Sequence, residues 1–255
     1  MTEAGKEGRL SGKRAIVTGG SRGIGAAIVE AFAREGAAVA FCHVNDGAEA
    51  VLVTQRAAAV GKRPVSMECD VSSPAEVEAF VAFAEGQNGP TDILVNNAGI
   101  SISHRFEDIS VEEFDRVLGV HLRGTFLMAR AVYPGMTARR YGRIVNISSQ
   151  LALKGGVELA HYCAAKAGIL GLTKSLATEA APFNVLVNAI APGPVETGIL
   201  YVLSDEWRKR KMSEMPIGRF GETHEITPAA IFLASDDCSY MVGATLHVNG
   251  GDLMA

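Results

Sequence analysis

The sequence predicts an α/β fold, a single-domain doubly wound parallel sheet of the Rossmann type with helices on both faces. Short apolar, β-branched runs alternate with helical patterns along the whole chain, as in a parallel sheet covered on both sides. The first apolar run enters a glycine-rich turn and then a helix, and no repeat, low-complexity tract or linker follows. At 255 residues the chain suits one such domain, with residues 1–10 as a loose tail.

The composition excludes several classes of partner. A net charge of −4 offers no basic face for nucleic acid, and a solvated helix face explains the one basic run, 208–211. No apolar run approaches the roughly 20 residues that span a bilayer, so we expect no membrane partner. The four cysteines lack pairing or metal-ligand spacing, which predicts reduced thiols, a cytoplasmic protein and no metal site.

The first strand, over 14–18, leads into a glycine turn that predicts a pyrophosphate site. Glycines let the backbone approach a phosphate, and the following helix, over 26–34, offers free N–H groups and a positive dipole end. The spacing is Gly-x-x-x-Gly-x-Gly, and the alternative is a plain strand-to-helix turn. The candidate cofactor residues of this turn are Gly19, Ser21, Arg22, Gly23, Ile24 and Gly25.

The residue after the second strand, over 37–42, decides the preference for a phosphorylated cofactor. An acidic side chain there binds the ribose 2′-hydroxyl and repels a 2′-phosphate. This chain has His43 instead, with Arg22 in the glycine turn, so NADP(H) is favoured and NAD(H) is the alternative. Asp46 lies close enough in sequence to weaken that preference.

The third strand, over 65–69, ends at Asp70. Ser73 to Glu76 then match a capping box, with proline at the first helical position. The Asp70 carboxylate either helps to cap this helix or accepts a hydrogen bond from an adenine amino group, and the residues alone leave both interpretations open.

The fourth strand starts at Asp92 and ends in Asn-Asn-Ala-Gly, over 96–99. Small residues at the carboxyl end of a strand leave room for a ligand, and amides tie neighbouring strands. Ser110 then caps a long helix that runs to about residue 136. The apolar stripe of that helix predicts either core packing or a subunit interface.

A buried strand over 144–147 is followed by Ser149 and by a helix that starts near residue 160. Tyr162 and Lys166 are four residues apart, so they share one face of that helix. A phenol with a pKa near ~10 exchanges protons poorly at neutral pH, but an ammonium beside it favours the phenolate. With the Ser149 hydroxyl nearby, this pattern predicts proton exchange with an oxygen on carbon. The alternative is a packed ring and a solvated amine.

The last part of the chain is predicted to complete the sheet and cover the site. A strand over 184–190 ends in a rigid two-proline turn whose exposed amides suit a carboxamide. Residues 195–220 form a predicted substrate lid, because they carry Met, Trp and charged side chains and two glycines. A helix over 225–233 and a strand over 244–248 follow.

In this order the motifs resemble the short-chain dehydrogenase/reductase family, from about residue 10 to the C-terminus. The resemblance rests on the glycine turn after Thr18, the Asn-Asn-Ala-Gly run, Ser149 thirteen residues before Tyr162, and Tyr-x-x-x-Lys. Within the family the chain is most similar to 3-oxoacyl-carrier-protein reductases and related small carbonyl reductases. The resemblance implies NAD(P)-dependent hydride transfer between nicotinamide and a ketone or secondary alcohol, in a homotetramer built on the long helices.

The resemblance also implies a role for each site residue. Tyr162 exchanges the proton, Ser149 holds the substrate oxygen, and Lys166 lowers the pKa of the phenol and binds the nicotinamide ribose. The other implied cofactor contacts are Asp70 and Val71 for the adenine, Asn97, Ala98 and Gly99 for the ribose, and Pro192, Gly193, Val195 and Thr197 for the carboxamide. The substrate-pocket candidates are Ser101, Leu151, Lys154, Glu158 and His161, although a solvated side chain is the favoured expectation for Lys154.

One position departs from the family pattern. The family carries Asn in Val-Asn-Leu-x-Gly-Thr-Phe, where it supports a water chain to the lysine, and this chain has His121. A neutral imidazole can also relay protons, or it only fills the space and weakens the relay. The first alternative gives an enzyme acting on a 3-oxoacyl thioester or similar small ketone. The second gives a non-catalytic nucleotide-binding regulator or structural oligomer.

Overall fold

The computed structural model describes residues 8–198 and 204–255, which form one sheet of seven parallel strands in the order β3-β2-β1-β4-β5-β6-β7. The doubly wound fold predicted from the sequence is therefore confirmed. The strands are β1 (Arg14–Val17), β2 (Ala38–His43), β3 (Val65–Glu68), β4 (Ile93–Asn96), β5 (Gly142–Ile147), β6 (Val185–Pro192) and β7 (Thr245–Val248).

Helices connect successive strands and cover both faces of the sheet. They are α1 (Gly23–Arg34), α2 (Gly47–Ala58), α3 (Pro74–Asn88), α4 (Val111–Leu118), α5 (Gly124–Arg139), α6 (Leu151–Lys154), α7 (Ala160–Ala180), α8 (Asp205–Glu214) and α9 (Thr227–Ala234). Within the described ranges, no helix is long and apolar enough to cross a membrane.

Two apolar layers hold the helices to the sheet. Phe32 and Phe41 are buried in the layer that packs α1 and α9, and Phe80 and Met128 are buried in the layer that packs α3 and α5. Successive residues of a strand point to opposite faces, so the five inner strands contribute to both layers, whereas the edge strands β3 and β7 contribute to one layer each. Burying one such side chain contributes about 1.5–3 kcal/mol, which explains why the near-continuous apolar runs became inner strands.

The long predicted helix consists of α4 and α5, joined through a π-helical turn over Gly119–Arg123. It begins as predicted, because the Ser110 hydroxyl accepts a hydrogen bond from the Glu113 N–H at 3.1 Å. The π-helical turn carries His121, and such turns often occur at functional sites because they redirect one side chain.

Two local predictions were wrong. The Ser73 side chain does not cap α3, because Glu76 instead accepts the backbone N–H of Asp70 at 2.9 Å. The end of the predicted loose tail is also anchored, since Leu10 is fully buried and donates its N–H to the Glu35 carbonyl at 3.0 Å.

All seven strands are parallel, so their carboxyl ends meet at one edge of the sheet. The strand order reverses between β1 and β4, and a crevice opens at such a point in doubly wound sheets. Every predicted site residue except His121 follows a strand end at this edge or lies on the glycine turn or on α7.

Candidate active site

The turn between β1 and α1 is a cradle in which side chains would clash. Gly19 and Gly23 have φ angles of 64° and 56°, in the left-handed region. A Cβ on Gly25 would lie 2.1 Å from the carbonyl oxygen of Gly19 and 2.5 Å from Nδ2 of Asn97. The N-terminus of α1 has no side-chain cap, so its first N–H groups can bind an anion.

Asn97 fixes the end of β4 against this turn. Its side-chain amide donates to the carbonyls of Thr18 at 3.0 Å and Gly19 at 3.1 Å. The Thr18 hydroxyl in turn accepts the backbone N–H groups of Asn97 at 2.9 Å and Ala98 at 3.0 Å. The sequence analysis did not predict Thr18 as a site residue. Its position between the first strand and the first glycine of the turn could have indicated this role.

The expected ribose end lies at the carboxyl end of β2, where Arg22 and Asp46 form an ion pair. Nε of Arg22 is 2.8 Å from one carboxylate oxygen, and the terminal nitrogen is 2.6 Å from the other. Hydrogen bonding from Arg22 lowers the pKa of Asp46. Nδ1 of His43 is buried without a partner among the described residues. The Asp46 carboxylate therefore balances the positive charge of Arg22. It is the same carboxylate whose closeness in sequence weakened the prediction of NADP(H).

Asp70 and Val71 follow β3 at the same edge. Oδ1 of Asp70 accepts the N–H of Ser72 at 2.8 Å, so this carboxylate does order the turn before α3. Val71 is buried under Gly124, where a Cβ would come within 2.7 Å of its Cγ2. Ser72 precedes the N-cap residue of α3, so this hydrogen bond orders the turn without capping the helix, and a role of Asp70 toward adenine stays a prediction.

Ser149, Tyr162 and Lys166 come together beside the carboxyl end of β5. Lys166 is buried, and its Nζ donates to the Ile147 carbonyl at 2.8 Å and lies 5.6 Å from the centre of the Tyr162 ring. Oγ of Ser149 accepts the N–H of Leu151 at 3.1 Å and is hydrogen-bonded to the Tyr162 hydroxyl. The helix therefore presents the phenol and the ammonium side by side.

The electrostatics differ from the prediction that Lys166 lowers the pKa of the phenol. Burial raises the pKa of Tyr162 to about 12, against a smaller lowering by the hydrogen bond to Ser149. Burial also lowers the pKa of Lys166 to about 7. Desolvation disfavours phenolate and ammonium alike, and it is the largest cause of both shifts. The predicted lowering is wrong for the structure as described.

His121 packs its ring edge-on against Tyr162, with 5.3 Å between the ring centres. Its Nε2 is 2.7 Å from the Ile100 carbonyl and 3.1 Å from the Ile100 N–H. One ring nitrogen cannot donate and accept at once, and the shorter distance favours Nε2–H donating to the carbonyl. Burial, followed by the charge of Lys166, lowers the pKa of His121 to about 3, so this ring is neutral.

His121 also constrains the strand end opposite. A Cβ on Gly99 would lie 2.3 Å from Cε1 of His121, so the glycine in the Asn-Asn-Ala-Gly run is what admits the imidazole. Nδ1 of His121 is buried and has no partner within the described ranges. The structure thus places His121 against the ring of Tyr162.

A chain of buried side chains holds α7 to the sheet. Nδ2 of Asn96 donates to Oδ1 of Asn146 at 2.9 Å, as predicted for an amide that ties neighbouring strands. Nδ2 of Asn146 donates to Oγ1 of Thr173 on α7 at 2.9 Å. The Ser148 hydroxyl donates to the Lys166 carbonyl at 2.9 Å. These contacts fix the helix that carries Tyr162 and Lys166. No sequence motif predicted a role for Asn146 or Thr173.

The turn after β6 bends back over the glycine cradle. Gly193 packs on Asn249, whose Cα would lie 2.7 Å from an added Cβ. A Cβ on Gly23 would lie 3.4 Å from Cγ2 of Thr197, which shows how closely this turn approaches the cradle. Val195 is buried and forms a parallel β-bridge with Gly221. Of the residues predicted to bind the carboxamide, Thr197 is therefore the one that lies against the predicted pyrophosphate site.

The helix α8 lies in the segment predicted to be a lid, and the carboxylate of Asp252 ties it to the segment after Ser149. This buried group accepts hydrogen bonds from Nζ of Lys211 at 2.6 Å, from Nζ of Lys154 at 2.8 Å and from the side chain of Gln150. Lys154 thus binds an internal acid, whereas a solvated lysine was the favoured expectation.

A second contact on α8 joins Arg208 to Glu196 at 2.5 Å. The predicted solvated face over 208–211 is therefore wrong for Arg208 and Lys211. Residues 199–203 of the predicted lid lie outside the described residues.

The fold and the site together define a dinucleotide-dependent oxidoreductase. A family model described as enoyl-(acyl carrier protein) reductase matches residues 19–252. The chain is 41% identical over 245 residues to the 3-oxoacyl-(acyl-carrier-protein) reductase of Vibrio cholerae, covering 96% of this chain and 99% of that relative. The corresponding Escherichia coli reductase is also 41% identical, over 246 residues, with the same coverage.

Solved structures agree with these relatives. A double mutant of a Serratia marcescens short-chain dehydrogenase/reductase superposes with a TM-score of 0.90 at 34% identity, covering 96% of this chain and 99% of that one. A short-chain type dehydrogenase/reductase from Mycobacterium marinum gives 0.90 at 33% identity, covering 96% and 97%. The chain belongs to the short-chain dehydrogenase/reductase family, as the sequence motifs predicted, and is an oxidoreductase acting on CH–OH groups.

Proposed function

We propose that this protein is an NADP(H)-dependent reductase of 3-oxoacyl thioesters or similar small ketones. The convergence of Ser149, Tyr162 and Lys166 beside the glycine cradle carries the proposal. The names of the Vibrio cholerae and Escherichia coli relatives support the thioester class.

The residues present fit a dinucleotide. The cradle at Gly19 and Gly25 has no space for side chains, the first N–H groups of α1 are available to a pyrophosphate, and the turn containing Thr197 lies against the same cradle. When bound, the nicotinamide cofactor supplies the hydride. The protein side chains then have to hold the substrate oxygen and deliver a proton to it.

The raised pKa of Tyr162 suits reduction. At about 12 the phenol is fully protonated at neutral pH and can donate to the substrate oxygen while Ser149 holds that oxygen. A secondary alkoxide is a stronger base than a phenolate, so the proton moves from Tyr162 to the oxygen as the carbonyl carbon is reduced. Burial opposes the phenolate that the reverse oxidation needs at the start.

The NADP(H) preference rests on Arg22 and His43 at the end of β2. A 2′-phosphate would compete with Asp46 for Arg22, and the buried nitrogen of His43, unpartnered within the described ranges, adds a polar group at the same edge. Arg22 is largely exposed, so its side chain can turn from the carboxylate to a phosphate at little cost.

A homotetramer remains part of the proposal. Val111 and Phe114 on α4 and Phe126 on α5 are exposed apolar side chains on the long helices that the family resemblance assigns to subunit contacts. Light scattering coupled to size exclusion tests this directly.

The test of the function is oxidation of NADPH and of NADH with oxoacyl thioesters, diketones and sugars. Turnover with NADPH and an oxoacyl thioester that disappears in Tyr162→Phe supports the proposal. Stoichiometric NADPH binding with no turnover on any substrate would instead favour the non-catalytic nucleotide-binding protein.

A further inference from the structure

Two lysines and one carboxylate form a charged cluster beside the segment that follows Ser149, and the proposed reaction does not use it. Nζ of Lys211 on α8 and Nζ of Lys154 on α6 lie 2.6 Å and 2.8 Å from the same atom, Oδ1 of Asp252. The Asp252 side chain is 4% exposed, against 14% for Lys211 and 31% for Lys154. One buried carboxylate oxygen therefore holds two ammonium groups side by side.

The cluster carries one positive charge more than its carboxylate balances. Burial alone would raise the pKa of Asp252, but hydrogen bonds from the two lysines and from Gln150 lower it overall, so this carboxylate is ionised. Glu214 lies 3.5 Å from Nζ of Lys211, but its side chain is 54% exposed and also faces Arg210 at 4.0 Å. An exposed pair contributes little, so a second anion would be stabilised at this cluster.

The two ammonium groups also have hydrogen-bonding capacity left. Each ammonium has three N–H donors. That of Lys154 binds Oδ1 and, at 3.3 Å, the backbone carbonyl of Asp252. That of Lys211 binds Oδ1 and the more distant Glu214 oxygen. Each therefore keeps one N–H without a partner in the described part of the chain, and two such donors match the two oxygens of a carboxylate.

Gln150 shows that hydrogen bonding in the cluster is incomplete on the acceptor side as well. Its Nε2 donates to Oδ2 of Asp252, which fixes the orientation of the amide. Its Oε1 is buried, and no donor reaches it within the described ranges. Native proteins leave few buried polar atoms unpaired, and those that remain often belong to functional sites.

The cluster adjoins the predicted active site. Gln150 directly follows Ser149, and its N–H donates at 3.1 Å to the carbonyl of Pro192, in the turn predicted to bind the carboxamide. Lys154 lies at the end of α6, a helical rise of about 7.5 Å from Ser149. A small ketone whose oxygen is held by Ser149 would therefore reach the cluster with a group only a few bonds from the ketone.

We propose that Lys154 and Lys211 bind a carboxylate of the substrate, so that the small ketone of the proposed function is an oxo acid. This proposal rests on the proposed function and names its substrate class. The two remaining N–H groups hold the carboxylate oxygens, and Asp252 holds the lysines in place. The short rise from Ser149 favours a carboxylate on the reacting molecule over a phosphate at the far end of a thioester carrier.

The test compares oxo acids with their methyl esters, which have the same ketone without the charge. Acetoacetate, 4-oxopentanoate and 5-oxohexanoate place the carboxylate at three distances from the ketone. We expect kcat/KM with NADPH to be higher for at least one acid than for its ester, by about tenfold or more. Esters that are reduced as well as their acids at all three lengths would overturn the proposal.

Substitution of the lysines separates substrate binding from a merely structural contact. Lys154→Met and Lys211→Met each remove one charge and keep an unbranched side chain, so we expect the acid-to-ester ratio of kcat/KM to fall by about tenfold in either. Lys154→Arg should retain the ratio. Loosening of α8 alone would slow acid and ester alike, so an unchanged ratio in both Met variants would overturn the assignment. If Lys211→Met fails to fold, the more exposed Lys154 keeps the test available.

Lys209 supplies the matched control. It carries the same charge on the same helix, two residues before Lys211, at an exposed position. Lys209→Met should leave the acid-to-ester ratio unchanged. A loss as large as that in Lys211→Met would reveal a general effect of charge on α8 and would overturn the specific site.

Binding without turnover distinguishes the failure of this proposal from the failure of the proposed function. If the wild type reduces no ketone, the proposed function fails, and saturation-transfer NMR with the three oxo acids then tests the site. Binding that is lost in Lys154→Met and kept in Lys209→Met would support the carboxylate site. No binding to the wild type, or equal binding to the wild type and Lys154→Met, would overturn it.

Discussion

The two walls of the active site are built in different ways. The cofactor wall is made of backbone, with Gly19 and Gly25 at positions where a side chain would collide with a neighbouring strand end. The catalytic wall is made of buried polar side chains, among them Asn146, Thr173 and His121, whose partners come from distant parts of the chain. We therefore expect the cofactor wall to lose its function when an atom is added to it. We expect the catalytic wall to lose its function when a hydrogen-bonding group is removed from it.

The largest expected effect comes from removing one oxygen from the catalytic wall. Tyr162→Phe keeps the ring that packs on His121 and removes the hydroxyl proposed to donate the proton, so kcat should fall by about 10²–10⁴-fold. NADPH affinity, measured by fluorescence titration, should stay within about twofold because the cradle is untouched. Substantial residual turnover would show that another group delivers the proton.

Adding one carbon to the cofactor wall should have the next largest effect. In Gly25→Ala the new Cβ meets the Gly19 carbonyl at 2.1 Å, so we expect stability to fall by about 1–3 kcal/mol and NADPH binding to weaken by more than about tenfold. Urea unfolding and cofactor titration measure the two effects.

The control for that change is Gly86→Ala on α3, where an added Cβ meets nothing within 4 Å. This exposed helical position should gain about 0.5–1 kcal/mol and leave cofactor binding unchanged. If both alanines behave alike, the cradle is not the constrained structure described above.

His121, in the catalytic wall, should make the stability of the folded protein sensitive to acid. Its pKa falls from 6.5 to about 3 on folding, so below pH 6.5 the unfolded chain binds a proton that the folded chain does not. Stability is therefore lost as the pH falls from 6.5 toward 3, at up to about 1.4 kcal/mol per pH unit from this group.

His121→Asn should remove this acid sensitivity of the stability. The side-chain amide of the new asparagine can hydrogen-bond both the N–H and the carbonyl of Ile100. The variant should gain stability relative to the wild type as the pH is lowered, in urea unfolding between about pH 6.5 and 5. Parallel curves for the two proteins would mean that the imidazole is solvated and ionises freely.

The smallest expected effect lies at the rim of the cofactor wall. Asp46→Asn releases Arg22 from its ion pair, so the ratio of kcat/KM for NADPH over NADH should rise by about three- to tenfold. The gain should shrink at high salt because Arg22 is exposed. No change in the ratio would remove Arg22 from cofactor selection.

The difference between the walls also decides what the sequence could predict. Glycines at fixed spacing between an apolar strand and a helix are typical of a phosphate-binding turn, so the cradle and the sheet order around it followed from the sequence. Asn146, Thr173 and Asp252 carry no local pattern, because their partners are set by strand order and helix packing.

The electrostatic errors have the same origin. The spacing of Tyr162 and Lys166 correctly gave their adjacency, but the sequence does not state how much water surrounds them, and burial reversed the expected pKa shift of the phenol. Lys211 was likewise interpreted without the carboxylate that folds against it.

Asp252 has a consequence for two segments of the chain. It lies three residues before the end of the 255-residue chain, yet it holds both the lid helix and the segment after Ser149. Loss of this one carboxylate would therefore release the helix and the segment together.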